Sequence, residues 1–172
     1  APFVAAPGMR PGERVRRAVE ASMAAAGCNT NLGILLLCVP LAAAFQRLSL
    51  AGEAEAEGET SLRSSLAVVL NSLGVDDSDE VFRAIVAASP GGLGRASEAD
   101  VAGPATVTLR QAMALAADRD RIALAYVDVY EDVFGFARAN PRDPRAQRRV
   151  EARAREHPVG VGHERAGTLA GV

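Results

Sequence analysis

The chain has 172 residues, 49% of them hydrophobic and 4% aromatic, with 35 alanines, no tryptophan and 19 basic residues that are all arginine. A formal charge of −2 excludes the basic footprint of a general nucleic-acid binder, and so apolar a composition excludes disorder throughout. Without lysine, neither a Schiff base nor a P-loop lysine is available, so any phosphate grip rests on arginine and backbone amides.

Alanine and leucine abound while aromatic and β-branched residues are scarce, which makes helix the cheaper backbone. The first predicted helix, Glu13 to Ala26, follows Pro11-Gly12 and stops at Gly27, a suitable residue just past a helix end. The run Leu32 to Phe45 is broken only by Gly33 and Pro40. It falls short of the roughly 20 residues a membrane span needs. Ile34 to Leu48, apolar nearly all round, is expected to form a central helix covered on every side. Pro40 must kink or divide it, because proline lacks the backbone donor and crowds the preceding turn.

Gly52 to Gly58 reads as a solvated loop. Ser61 to Leu73 puts Leu62, Leu66, Val69, Leu70 and Leu73 on one stripe and stops at Gly74. Asp77-x-x-Glu80 resembles a capping box opening a helix with Val81, Phe82, Ile85 and Val86 inward, closed by Ser89-Pro90-Gly91-Gly92. After a loop to Thr106, Thr108-x-x-Gln111 caps a long helix expected to run to about Phe136. No stretch shows period-2 alternation, so the fold class is all-α: a single-domain helical bundle over residues 12–136 with a buried central helix.

Charge is uneven. Leu50 to Val101 holds ten acids against Arg63, Arg83 and Arg95, a local net of −7. Residues 137–172 hold eight arginines against four acids and no aromatic residue, which predicts a loose arginine-rich segment. Cys28 and Cys38, ten residues apart, match neither a CxxC motif nor a disulfide framework. They are expected as small buried side chains in a reducing cytoplasm. The start lacks the charged segment of a secretory leader, so a soluble, cytoplasmic protein is expected, bound neither to membrane nor to nucleic acid.

Three constellations could carry chemistry. Gly27-Cys28-Asn29-Thr30-Asn31-Leu32-Gly33 stands before the most apolar helix, where unpaired amides and the positive dipole end favour anions. A cap and a turn would use the same residues. Gly91-Gly92-Leu93-Gly94, followed by Glu98 and Asp100, lets backbone amides approach a ligand, and serves equally as a flexible loop. Asp118-Arg119-Asp120-Arg121 lies inside the long predicted helix. At 100° per residue, Asp120 falls on the stripe of Leu109, Met113, Ala116, Leu124 and Val127. A carboxylate facing the core must be paired, bound to metal or lining a cavity. His157 and His163 form no metal-binding pattern.

These three constellations, in this order, resemble the triphosphoribosyl-dephospho-CoA synthase family over about Val15 to Phe134. Asn29, Thr30 and Gly33 match its Gly-x-Asn-Thr-x-x-Gly pattern. Gly92, Gly94 and Asp100 match its second motif, and Asp118, Arg119 and Asp120 its third. The resemblance implies an all-α transferase that joins ATP to 3′-dephospho-CoA through the ribose C1′, expelling adenine and keeping the triphosphate, to make a prosthetic-group precursor. It also implies roles. Asp120 stabilises the cationic ribose or, with Asp118, holds Mg²⁺. Asn29, Thr30, Asn31, Gly33, Gly92, Gly94, Asp100 and Arg119 bind substrate phosphates.

Many members carry His-Lys where Asn31-Leu32 stand here, and the family's Lys-Pro-Gly-Asn-like and His-x-Asp-like motifs are not found. A truncated, divergent member is therefore expected. The alternatives are a non-catalytic or partner-completed nucleotide-binding module, or a relative in C1 or pterin-cofactor synthesis. A homo-oligomer is compatible with either.

Overall fold

The computed structural model describes residues 3–28, 31–51, 58–88 and 103–139. Seven helices fill them: α1 (Pro11–Ala26), α2 (Leu32–Ala51), α3 (Gly58–Ser72), α4 (Val75–Ala88), α5 (Leu109–Ala114), α6 (Arg121–Asp128) and α7 (Glu131–Ala139). There is no strand among the described residues, and the chain is all-α as its composition requires. Contacts divide it into a first unit, residues 1–134, and a second, 135–172. Of the second only the end of α7 is described, so the arginine-rich arm from residue 140 lies outside the described residues.

In the first unit α1 packs chiefly on α4, and α2 on α3. Helix α1 starts at Pro11, where proline's missing donor costs nothing, and ends at Gly27 with φ 70° and its N–H on the Met23 carbonyl. Its face of Gly12, Val15, Ala18 and Val19 is buried. The approach to α4 is close: a Cβ on Gly12 would stand 2.6 Å from the Asp77 Cα and 2.7 Å from its carbonyl oxygen. Only glycine fits there.

Asp77 explains the closeness. Its helix begins at Val75, so Asp77 is not the N-cap that its spacing to Glu80 suggested. Instead the buried carboxylate accepts the Gly74 N–H at 3.1 Å and, across the interface, the Gly12 N–H at 2.9 Å. One acid therefore neutralises the amino ends of two helices. Arg10–Asp76 and Arg16–Glu80 ion pairs flank it. On α4, Val81, Phe82, Ala84 and Ala88 are buried, while Val86, expected inward, is exposed.

Helix α2 runs unbroken through Gly33 and Pro40 for 20 residues. It is thereby long and apolar enough to cross a membrane by length and composition, which the 14-residue run had not suggested. Leu35, Leu36, Val39, Pro40, Ala44 and Leu48 are buried. Ile34, Cys38, Phe45 and Leu50 are exposed, so the helix is not covered on every side. Cys28 is exposed as well, against the expectation of two buried thiols.

Pro40 leaves the Leu36 carbonyl without its helical donor. The Tyr126 hydroxyl donates to that oxygen at 2.8 Å and the Tyr130 hydroxyl at 3.3 Å, Tyr130 also lying 3.3 Å from the Leu37 carbonyl. Both tyrosines are fully buried. Burial holds both phenols well above their ordinary pKa.

The long helix expected from Leu109 to Phe136 is three. Thr108 and Gln111 form the anticipated capping box on α5, but α5 stops after six residues. Helix α6 ends where Val129 and Tyr130 take positive φ, 57° and 58°, without glycine. Both N–H groups return to the Ala125 carbonyl. Arg110 donates to the Tyr126 and Val127 carbonyls at 3.2 and 2.9 Å, and Arg63 to the Asp128 carbonyl at 3.2 Å. Two arginines from other helices thus cap α6, and they offset the left-handed backbone at its end.

Candidate active site

Two of the three constellations meet. The loop from α1 to α2 brings Asn31 to the start of α2, where its carbonyl accepts the Leu35 N–H at 2.9 Å. The Asn31 Nδ2 donates to the Ser22 Oγ at 2.9 Å, which ties the start of α2 back onto α1. At the second residue of α2, a Cβ on Gly33 would lie 2.7 Å from the Ile122 Cδ1. Ile122 is the second residue of α6. The absent side chain at position 33 therefore lets the amino ends of α2 and α6 sit side by side, and the Asp118–Asp120 turn leads directly into α6.

That turn is held by backbone bonds. The Ala116 carbonyl accepts the Arg119 N–H at 3.1 Å and the Asp120 N–H at 2.9 Å. Asp120 has extended backbone and caps α6, its Oδ1 accepting the Ile122 N–H at 2.7 Å and the Ala123 N–H at 3.2 Å. It is exposed rather than core-facing. The periodicity that placed it inward assumed one continuous helix, and the break after α5 rotates it out. Asp118 is 81% exposed and lies 3.6 Å from Arg119. Arg119 also donates to the Leu115 carbonyl at 3.3 Å. Arg121 pairs with Asp132.

The solvent-facing turn thus presents two carboxylates and two guanidinium groups beside the start of α2. The charges are exposed to water, so their mutual attraction is weak. A bound polyphosphate would exclude that water and strengthen each contact. Asn29, Thr30, Gly92, Gly94 and Asp100 lie outside the described residues. Among the described residues no group of three or more His, Cys, Asp or Glu side chains converges as for a metal ion.

A family model described as ATP:dephospho-CoA triphosphoribosyl transferase matches residues 3–156. The chain belongs to this family. The match reaches beyond Val15–Phe134, the span over which the motifs carry the resemblance. No curated protein and no solved structure matches the chain. As a triphosphoribosyl transferase it takes ATP and dephospho-CoA as substrates and forms triphosphoribosyl-dephospho-CoA. Nothing favours the non-catalytic alternative.

Three residues shape this transferase beyond what the sequence showed: Asp77, expected only as a cap, and Tyr126 and Tyr130, which no motif singled out. The signal for Asp77 was the unexplained Gly12 after Pro11. For the tyrosines it was the only two phenols of the chain spaced one helical turn apart downstream of a helix that contains a proline.

Proposed function

We propose that the turn Asp118–Asp120 and the start of α2 form the ATP-binding half of the transferase site. The contact that supports this is the close approach at Gly33 and Ile122, which sets the first and third family motifs together. Expulsion of adenine leaves positive charge on the ribose C1′ and O4′, and a carboxylate close by lowers the energy of that state. A carboxylate can also take the proton from the attacking hydroxyl of dephospho-CoA.

Asp118 suits this work better than Asp120, because both α6 amide bonds fall on Asp120. We assign Asp118 to the reacting centre and Asp120 to positioning, in place of the role at the cationic ribose that the resemblance implies for Asp120. Arg119, with Asn31 and Gly33 at the start of α2, grips the triphosphate; Asn29, Thr30, Gly92, Gly94 and Asp100 are assigned to the same phosphates on the family motifs alone. Mg²⁺ fits this donor set: it is commonly held by one or two carboxylates plus substrate phosphates, and Asp118 with the second oxygen of Asp120 would supply them. Its chemistry would be to neutralise triphosphate charge. We further place the enzyme in the cytoplasm, with the buried face of α2 packed on α1 and α3.

Adenine release from ATP and dephospho-CoA, followed by chromatography on the full chain and its variants, tests the assignment. Asp118→Asn should lower kcat by roughly 10²- to 10⁴-fold with an unchanged melting temperature. Asp120→Asn retains an N-capping oxygen and should lower kcat less. Equal activity of Asp118→Asn and the parent would refute the role.

A further inference from the structure

The far end of α2 carries a second charged hollow, of about 530 Å³, lined by Arg14, Ala43, Gln46, Arg47, Leu48 and Leu50. Arg14 is 6% exposed. Its Nε donates to the Met9 carbonyl at 2.8 Å, and its Nη1 to the Gln46 Oε1 at 2.7 Å. Gln46 is itself fixed, its Nε2 donating to the Ala5 carbonyl at 2.7 Å. Every one of these acceptors is neutral. No carboxylate pairs with Arg14 or with the exposed Arg47 among the described residues.

A buried cation is costly without a counter-charge, and neutral carbonyls repay only part of that cost. Burial accordingly lowers the Arg14 pKa. Every other described arginine on α1 faces acids: Arg16 has Glu20 and Glu80, and Arg17 has Glu13. Arg14 alone on that helix is turned into a hollow, beside a second arginine, with its hydrogen-bonding geometry fixed in advance by Gln46.

We propose that this hollow is an anion-binding site for a phosphate-bearing small molecule, with Arg14 and Arg47 as its charge partners and Gln46 as the residue that aims Arg14. Leu48, Ala43 and Leu50 offer an apolar wall for the body that carries the phosphate. The site is separate from the motif-bearing end of α2. From Gly33 to Gln46 the helix rises about 20 Å, too far for one phosphate group to touch both. The proposal does not depend on the roles assigned to Asp118 and Arg119.

Inorganic pyrophosphate is the probe, titrated into the full chain by calorimetry at constant ionic strength. The parent is expected to show a site at the hollow, in addition to any at the Arg119 turn. Arg47→Ala, an exposed change that leaves the fold alone, should weaken it roughly tenfold or more, the loss of a charged hydrogen bond. Arg14→Met should abolish it, and a cooperative thermal melt without pyrophosphate shows that the variant is folded although the Met9 carbonyl and Gln46 lose a donor. Arg119→Ala should leave it in place. No binding by the parent, or binding lost in Arg119→Ala yet retained in both hollow variants, would overturn the proposal. Glu53, Glu55 and Glu57 lie outside the described residues. If the parent binds nothing and their joint change to Gln destabilises the protein, the chain supplies its own counter-charge and the proposal fails.

Discussion

Removing the Tyr126 hydroxyl takes away the shortest donor to a carbonyl that Pro40 has left without its amide. In the Tyr126→Phe variant the Leu36 oxygen keeps only the 3.3 Å bond from Tyr130, inside a core where no water replaces the loss. The expected cost is about 1–2 kcal/mol, the range for an under-satisfied buried polar group. In a protein of this size that lowers the melting temperature by roughly 2–8 °C. A double-mutant cycle isolates the bond. Pro40→Ala restores an N–H four residues after Leu36, so the carbonyl regains its helical donor, and Tyr126→Phe in that background should cost less than about 0.5 kcal/mol. The coupling energy between positions 40 and 126 should then be about 1 kcal/mol. Urea melts of the four proteins give it directly. Strict additivity would refute the claim that the tyrosine hydroxyl stands in for the proline's missing donor.

Gly12→Ala should destabilise by about 2–3 kcal/mol, because the new methyl meets Asp77 backbone that cannot swing aside. Gly33→Ala, whose methyl meets the mobile end of Ile122, should cost less than half as much in the same thermal melts; a reversed order would refute the distinction. Asp77→Asn puts an amide donor against one of two helix amides that the carboxylate now accepts, and a loss of about 1–3 kcal/mol is expected by denaturant titration. Alkaline pH should act through Tyr126 and Tyr130. Their folded pKa values lie above the unfolded value near 10, so the folded state holds more protons. Stability is therefore flat below pH 10 and falls above it by about 1.4 kcal/mol per pH unit for each tyrosine. Since these are the only tyrosines, tyrosinate absorbance should rise only as the protein unfolds, and a rise in the native state would contradict their burial.

Helices with their own punctuation were legible in the sequence. Pro11 and Gly27 bound α1, Gly74 follows α3, and the Thr108–Gln111 box opens α5. The stripe Leu66, Val69, Leu70 and Leu73 faces the core as its spacing requires. The break between α6 and α7 was not legible, because nothing local causes it. Val129 and Tyr130 adopt left-handed backbone although neither is glycine. The compensation comes from Arg63, Arg110 and the Leu36 carbonyl, all distant in sequence. An earlier break, after α5, explains why Asp120 was misplaced: a 100° projection carries no information across a turn that interrupts the helix. The motifs themselves were legible as residue strings, but their juxtaposition was not. It depends on an absent side chain at Gly33 meeting Ile122, 89 positions later in the chain.

We propose that the Asn29–Gly33 and Asp118–Asp120 motifs together serve triphosphoribosyl transfer. The most direct test is product analysis of the full chain incubated with ATP, Mg²⁺ and dephospho-CoA, with adenine measured by chromatography and triphosphoribosyl-dephospho-CoA by mass spectrometry. The two products should appear in equal amounts, and both should vanish in Asp118→Asn. Adenine without the coupled product, or undiminished yield from Asp118→Asn, would contradict it.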